Sequence, residues 1–304
     1  MIENKRVICF GEVLWDNLLE GRRIGGAPLN VCYHLSKYGI QSKIISQIGD
    51  DVNGKEITKE LDRLGVDYQY CFKSAIYPTS TVEVYVLDNT KVEYEIVEEV
   101  AWDYIPYTPE MGEAIKASTA FVYGSLAARN NASRESLYKC IANAGWAIFD
   151  INLRTPFYSK ELITDLISRC QTLKINDDEL LLVAKWLEDD STEEKQNIEA
   201  LFNRFSTLKE IILTKGAHGA SYYSRIEVIQ VGAIKIEVVD TVGSGDSFLA
   251  AFIANKMQGH ALSYCMKEAV ALSAFIATFP GACPAYEEGD LNNFKIRHNY
   301  KSNN

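Results

Sequence analysis

The sequence predicts an α/β protein with a three-layer α/β/α core around a mostly parallel sheet. Three observations carry that prediction: short apolar runs recur, helix-period segments separate them, and several runs end in a polar residue or glycine. Ligand loops follow the strands of parallel α/β sheets in this way. The runs are Arg6–Phe10, Lys43–Ile48, Thr119–Tyr123, Trp146–Ile151, Thr172–Ile175 and Glu210–Leu213. Each is short and largely apolar, as a strand covered on both faces must be. Between the first runs, Gly54–Leu64 sets Ile57, Leu61 and Leu64 on one helical face and stops at Gly65.

Two regions break this rhythm. Thr79–Leu87 and Lys91–Val97 alternate apolar and polar residues on either side of the turn residues Asp88 and Asn89. A period of two predicts an antiparallel hairpin with one wet face. Joined by the early stretch VLWDNLLEGRRIG, it predicts a small β-sheet lid built from about 12–24 and 79–99. Such a sheet also suits a homodimer contact. The second break is Ala220–Val239, where YY, IEVIQV and IKIEVV predict antiparallel strands. No repeat or low-complexity tract divides the chain, so residues 1–304 read as one domain.

Composition bounds the function. Hydrophobic residues make up 47% of the 304, enough for a large core, and the formal net charge is −10. That charge disfavours nucleic acid or an anionic membrane as partner. It leaves room for an anionic substrate, because the amides at a helix N-terminus hold phosphate locally. The seven cysteines are odd in number and form no C-x-x-C pair, and several lie within apolar runs, which predicts reduced thiols in the cytoplasm. The opening MIENKRVICFGEVL enters a strand without a basic leader, and no apolar run is long enough for a membrane span.

Two stretches imitate nucleotide motifs. GDDVNGKE, residues 49–56, nearly spells a P-loop, but Glu56 stands where a hydroxyl is needed and Asp50 and Asp51 would repel phosphate. A turn capping the following helix accounts for it better. FGEVLWD carries one glycine after the first strand, which argues against a dinucleotide fingerprint.

DTVGSGDSF, residues 240–248, is where chemistry concentrates. Gly243 and Gly245 let backbone amides approach a ligand, and the helix that starts here adds partial positive charge, so with Ser244 they form an anion hole. Asp246, in the first turn, either caps the helix or accepts a proton from a hydroxyl attacking the bound anion.

GGAPLNVCYHLSKYG at 25–39 followed by DTVGSGDSF resembles the ribokinase-like, or PfkB, family of carbohydrate kinases, and the likeness covers nearly the whole chain. The resemblance implies that fold as a single kinase domain, and ATP, Mg²⁺ and a small-molecule sugar as partners. It makes Asp246 the catalytic base beside Gly243, Ser244 (usually alanine) and Gly245. Gly26, Asn30 and Asp16, the last read as closing the first strand of GEVLWD, match sugar-binding positions. KINDDE resembles the family's N-x-x-E, which sets Asn176 and Glu179 near Mg²⁺, with Glu179 acting directly or through water. DDEL also reads as an ordinary acidic helix start. LTKGAHGA resembles the nucleotide-binding T-x-G-x-x-G with Thr214, Gly216 and Gly219, and Lys215 would pair with phosphate. Asp240 reads as a structural residue at the motif's edge, or, with the loop at Gly281, as the place for a monovalent cation such as K⁺, as in some relatives. Val270 stands where relatives often carry asparagine beside adenine, which leaves the nucleotide less defined than the chemistry.

DINLR, ending in Arg154, and YGSLAAR resemble the fructokinase-like branch. Arg154 would bind a sugar hydroxyl or phosphate. 2-Keto-3-deoxygluconate kinases share much of this pattern.

Overall fold

A computed structural model describes residues 5–18, 21–88, 91–188 and 191–302. The main sheet has nine strands: β1 (Arg6–Phe10), β4 (Gln41–Gly49), β5 (Asp67–Ser74), β8 (Ala120–Gly124), β9 (Ala147–Asp150), β10 (Thr172–Asn176), β11 (Glu210–Thr214), β12 (Ala220–Ser224) and β13 (Val228–Val231). Their order across the sheet is β13-β12-β11-β10-β9-β8-β1-β4-β5, antiparallel at β11-β12-β13 and parallel elsewhere. The helices are α1 (Ala27–Lys37), α2 (Val52–Leu64), α3 (Pro109–Lys116), α4 (Asn131–Ile141), α5 (Lys160–Ser168), α6 (Asp177–Trp186), α7 (Glu194–Arg204), α8 (Ser244–Gln258), α9 (Leu262–Ile276) and α10 (Glu288–Arg297).

The pleat of β1 shows why the core has three layers. Val7 and Cys9 pack into one cluster with α1, α8 and α9, while Ile8 and Phe10 pack into another with α3, α4 and α5. The middle of α8 lies inside the first cluster: every residue from Asp246 to Asn255 is buried. A helix buried all round reads as apolar on every face, as FLAAFIA does.

The chain lays β4 and β5 on one side of β1 and then returns to place β8 on the other. That reversal opens a crevice at the carboxyl ends of β1 and β8, where open α/β sheets bind ligands.

A second, four-stranded sheet runs β3-β2-β6-β7, from β2 (Leu14–Leu18), β3 (Gly21–Gly25), β6 (Thr81–Asp88) and β7 (Lys91–Ile96). The expected hairpin is antiparallel β6-β7, and the early stretch joins it through parallel pairing of β2 with β6. Asn89 of its turn, and Leu19 and Glu20 of the early stretch, lie outside the described residues. Arg129, which ends YGSLAAR, ties the chain returning from this lid to the core. It makes a two-pronged bond with Asp103 at 2.7 and 2.8 Å and a third to the Val97 carbonyl at 2.6 Å.

Two expectations change. The run IKIEVV, residues 234–239, forms no strand: Ile234 is buried against the helical core, Ile236 half-buried, and Val238 and Val239 are exposed. Its alternation comes from one irregular segment lying along a helix face, and Val239 donates its N–H to the Ala277 carbonyl at the end of α9. Asp16 does not close the first strand. β1 ends at Phe10, and Asp16 sits in β2 of the lid. As for the P-loop look-alike, Asp51 caps α2 by accepting the Gly54 N–H, and Glu56 pairs with Arg22.

Candidate active site

The turn before α8 is forced by packing. Gly243 has φ 76°, and a Cβ there would stand 2.5 Å from Ala282 Cβ. No L-residue satisfies both demands cheaply. The turn starts α8 at Ser244, whose Oγ is buried and has no hydrogen-bond partner among the described residues. Asp246 is the third helical residue and does not cap, since Gly243 holds that position. Its Oδ2 accepts a hydrogen bond from Asn30 Nδ2 at 2.8 Å. Asn30 is held in turn from the other side, where Cys283 Sγ donates to its Oδ1 at 3.4 Å.

Burial raises the Asp246 carboxyl to about 6, and the negative charge of Asp150 adds to the rise. Asn30, Lys174 and Arg154 pull it back. Lys174 projects from β10 and donates to both oxygens of Asp150 at 2.8 Å, both side chains being buried. Its ammonium packs under the anion hole, 3.1 Å from where a Cβ on Gly245 would be.

The residues expected on the sugar side gather close to Asp246, with Asn30 bonded to it. A Cβ on Gly26, whose φ is 122°, would lie 2.2 Å from the Glu12 carbonyl; one on Gly25 would lie 2.3 Å from Asp16 Oδ2. The glycine pair thus lets the α1 start close onto Glu12 and Asp16. Burial lifts Asp16 to about 6, with Arg154 opposing and Asp240 reinforcing the rise. The exposed Arg154 guanidinium acts on Glu12, Asp16 and Asp246 together, which puts it at the mouth of the cleft.

The expected nucleotide-side residues occupy the ends of the next two strands. Asn176 and Glu179 form a capping box for α6: Asn176 Oδ1 accepts the Glu179 N–H at 2.8 Å, and Glu179 Oε2 accepts the Asn176 N–H at 2.9 Å. Glu179 Oε1 accepts the Leu153 N–H at 2.8 Å, and burial raises this carboxyl despite both bonds. Thr214 pairs in register with Asn176 across β10 and β11. Gly216 and Gly219 both have positive φ, and a Cβ on Gly219 would strike the Val231 carbonyl at 2.0 Å. Lys215 turns away from the role expected of it: its ammonium bonds Ser221 Oγ at 2.7 Å and Glu194 at 3.2 Å. Asp240 accepts the N–H groups of Val242 and Gly281 at 3.0 and 2.9 Å, and Arg23 of the lid stands 3.9 Å from it. Val270 is buried in α9. Among the described residues no cluster of three or more His, Cys, Asp or Glu could hold a metal by itself.

Sequence reasoning missed Glu12, Asp150 and Lys174. All three lie inside quoted motifs, and a lysine within the apolar run TLKIN is itself a signal, since lysine is almost never buried unpaired.

The pfkB family carbohydrate kinase model matches residues 16–288. The chain belongs to the PfkB carbohydrate kinase family. Fructokinase-2 of Oryza sativa subsp. japonica is 27% identical over 93% of this chain and 91% of its own length. Among solved structures, a fructokinase from Xylella fastidiosa with bound ATP superposes with TM-score 0.85 at 18% identity, covering 98% of this chain and all of that one. A double-mutant fructokinase from Vibrio cholerae O395, bound to fructose, ADP and potassium ion, gives TM-score 0.81 at 20% identity over 96% and 98% of the two chains. These likenesses establish the ribokinase-like fold. With the family match, the protein is a carbohydrate kinase acting on a small molecule. Among the described residues no helix of this kinase is long and apolar enough to cross a membrane.

Proposed function

We propose that this kinase transfers the γ-phosphoryl group of ATP to a primary hydroxyl of D-fructose, as a single catalytic domain in the cytoplasm. The observation that carries the reading is Asp246, a buried carboxylate at the mouth of the Gly243–Gly245 turn, bonded to Asn30 and raised to about 6. A base with that ionisation is free at neutral pH and still basic enough to take a hydroxyl proton as the O–P bond forms. The amides of the α8 first turn meet the charge that develops on the transferring group. Arg154 and Asp16 orient the sugar, with Gly26 and Asn30 shaping the floor beneath it. Thr214, Gly216 and Gly219 bound the nucleotide side, and Val270 stands where relatives often carry asparagine beside adenine.

Mg²⁺ fits the donor set as an ion carried in on ATP. Glu179 is a hard ligand whose oxygens each keep a lone pair beyond their backbone bond, and no all-protein cage stands among the described residues. When bound it would neutralise phosphate charge. K⁺ would lie against Asp240, where Arg23 already approaches; replacing K⁺ with tetramethylammonium should lower the rate if the cation binds there. The lid sheet offers β3 and β7 as edges for a homodimer, which sizing chromatography tests directly.

Arg154 favours a second substrate. An exposed guanidinium at the cleft mouth suits the carboxylate of 2-keto-3-deoxygluconate. An ADP-release assay over fructose, 2-keto-3-deoxygluconate, ribose and adenosine decides. The reading expects the highest kcat/KM with fructose. Preference for the acid sugar would reassign the substrate, and sugar binding without ADP would make the protein a sensor.

A further inference from the structure

Glu12, in the loop after β1, is a buried acid that phosphoryl transfer as described does not use; it is 4% exposed. Its Oε1 accepts the Ala27 N–H at the start of α1 at 3.0 Å. Its Oε2 is buried and makes no hydrogen bond among the described residues. With Ser125, Asp150, Asn152 and Asp246 it lines a small cavity where the ends of β1, β8 and β9 meet the first turn of α8.

The charges around this carboxyl come from three directions. Asp246 of α8 repels its ionised form, and Arg154, from the loop after β9, attracts it. Arg154 is exposed, so solvent screens it. Asp150 faces the cavity from β9, but Lys174 of β10 already neutralises it. Two carboxylates around one enclosed space without a committed cation are costly, and the cheaper state keeps a proton on one of them. Asp246 has the Asn30 amide and lies near Lys174; Glu12 has one backbone N–H and an unmet oxygen. The unmet oxygen marks Glu12 as the one that holds the proton. Burial acts in the same order, lifting Glu12 to about 7 and Asp246 to about 6.

We propose that Glu12 and Asp246 form a carboxyl pair holding one proton between them, with the proton on Glu12 and the charge on Asp246. Standing neutral, Glu12 lets its neighbour remain ionised as the base. The inference rests on Asp246 being that base. In each turnover the sugar O–H breaks, its proton goes to Asp246, and the oxygen bonds phosphorus as the bond to ADP breaks. Glu12, already protonated, cannot take that proton, so Asp246 returns it to solvent. When rising pH ionises Glu12, a second negative charge appears beside the base and opposes the incoming polyphosphate. The pH profile of kcat/KM for ATP is therefore bell-shaped, with Asp246 setting the rising limb and Glu12 the falling one.

Two measurements test the pair. The first is the infrared difference between wild type and Glu12→Gln without substrate at about pH 6, where most of Glu12 is protonated. The wild type should show protonated-carboxyl carbonyl intensity beyond what the variant keeps from Asp16 and Asp246, which are raised to about 6; the absence of such an excess overturns the proposal. The second is kcat/KM for ATP between about pH 5 and 9. The glutamine variant should lose the falling limb and exceed the wild type by about tenfold for each pH unit above the Glu12 ionisation. A variant that keeps the wild-type falling limb overturns the pair, since Glu12 would then serve only as an acceptor for Ala27. A wild type that shows the infrared excess but phosphorylates none of the sugars would sink the proposed function and leave the protonated pair supported.

Discussion

On the acceptor side of the cleft, burial holds Glu12, Asp16 and Asp246 between about 6 and 7, and Glu12 leaves one oxygen unbonded. On the donor side, Glu179 has both oxygens on backbone N–H groups, and Lys215 is shared between Glu194 and Ser221. The donor side is built at the ends of the neighbouring strands β10 and β11, whereas the acceptor side joins the loop after β1, strand β2 of the lid and the first turn of α8. The two sides also differ in whether the local backbone meets the charge. In the proposed roles, a satisfied donor side would hold polyphosphate without reorganising, while the unsatisfied acceptor side would keep carboxyls close to the ionisation a proton-transfer step needs.

Asp246→Asn breaks the acceptor side most severely. The amide oxygen still accepts from Asn30, but the base is gone, and kcat should fall by about 10²–10⁴. Stability should move the other way. Because the folded-state ionisation is raised from 3.8 to about 6, the wild type carries no penalty below 3.8, where the carboxyl is protonated folded or unfolded, and loses stability as pH rises through 6. The variant should therefore match the wild type at about pH 3.5 and exceed it at pH 8 by up to about 3 kcal/mol in urea unfolding. A variant less stable than wild type at pH 8 would mean that the carboxylate is paired more strongly than its surroundings indicate.

The Asp150–Lys174 pair sits where the two sides meet, and Lys174→Met tests whether it acts as a unit. Removing the cation leaves Asp150 buried and charged, a loss of about 3–5 kcal/mol in urea midpoint measurements. Adding Asp150→Leu should restore most of that stability, because the second charge no longer needs a partner. If the double variant is no more stable than the single, Lys174 contributes packing under Gly245 more than charge.

How much of this was legible depends on how local each feature is. Arg6–Phe10 is a strand over the very residues its apolar run marks, and the hairpin and the Gly65 stop follow from periods and turn chemistry. Periodicity misled at residues 234–239, since one helix face imposes the same alternation as a sheet. Glu12, Asp150 and Lys174 were in plain view within quoted motifs. Their burial, however, depends on which strands lie side by side in the sheet and on what packs over their ends, a long-range fact that no local pattern carries. Asp16 was read on the wrong strand for a related reason: the chain leaves the core sheet directly after Phe10 and enters the lid.

Lys215 gives the smallest and most discriminating test of the donor side. Its resemblance to a nucleotide motif implies a phosphate contact, while its geometry commits the ammonium to Glu194 and Ser221. The pair is partly exposed, with side-chain exposures of 19% and 34%, so Lys215→Ala should cost less than about 1 kcal/mol of stability. An ammonium already engaged by a carboxylate gives little to ATP, and the KM for ATP should rise by no more than about threefold at unchanged kcat. Glu194→Gln sharpens the point from the other direction: with its carboxylate partner neutralised, Lys215 becomes available to phosphate and KM for ATP should fall. A tenfold or greater rise in KM for Lys215→Ala, with no gain in Glu194→Gln, would mean that the ammonium leaves Glu194 when ATP arrives. The donor side would then be as poised for change as the acceptor side.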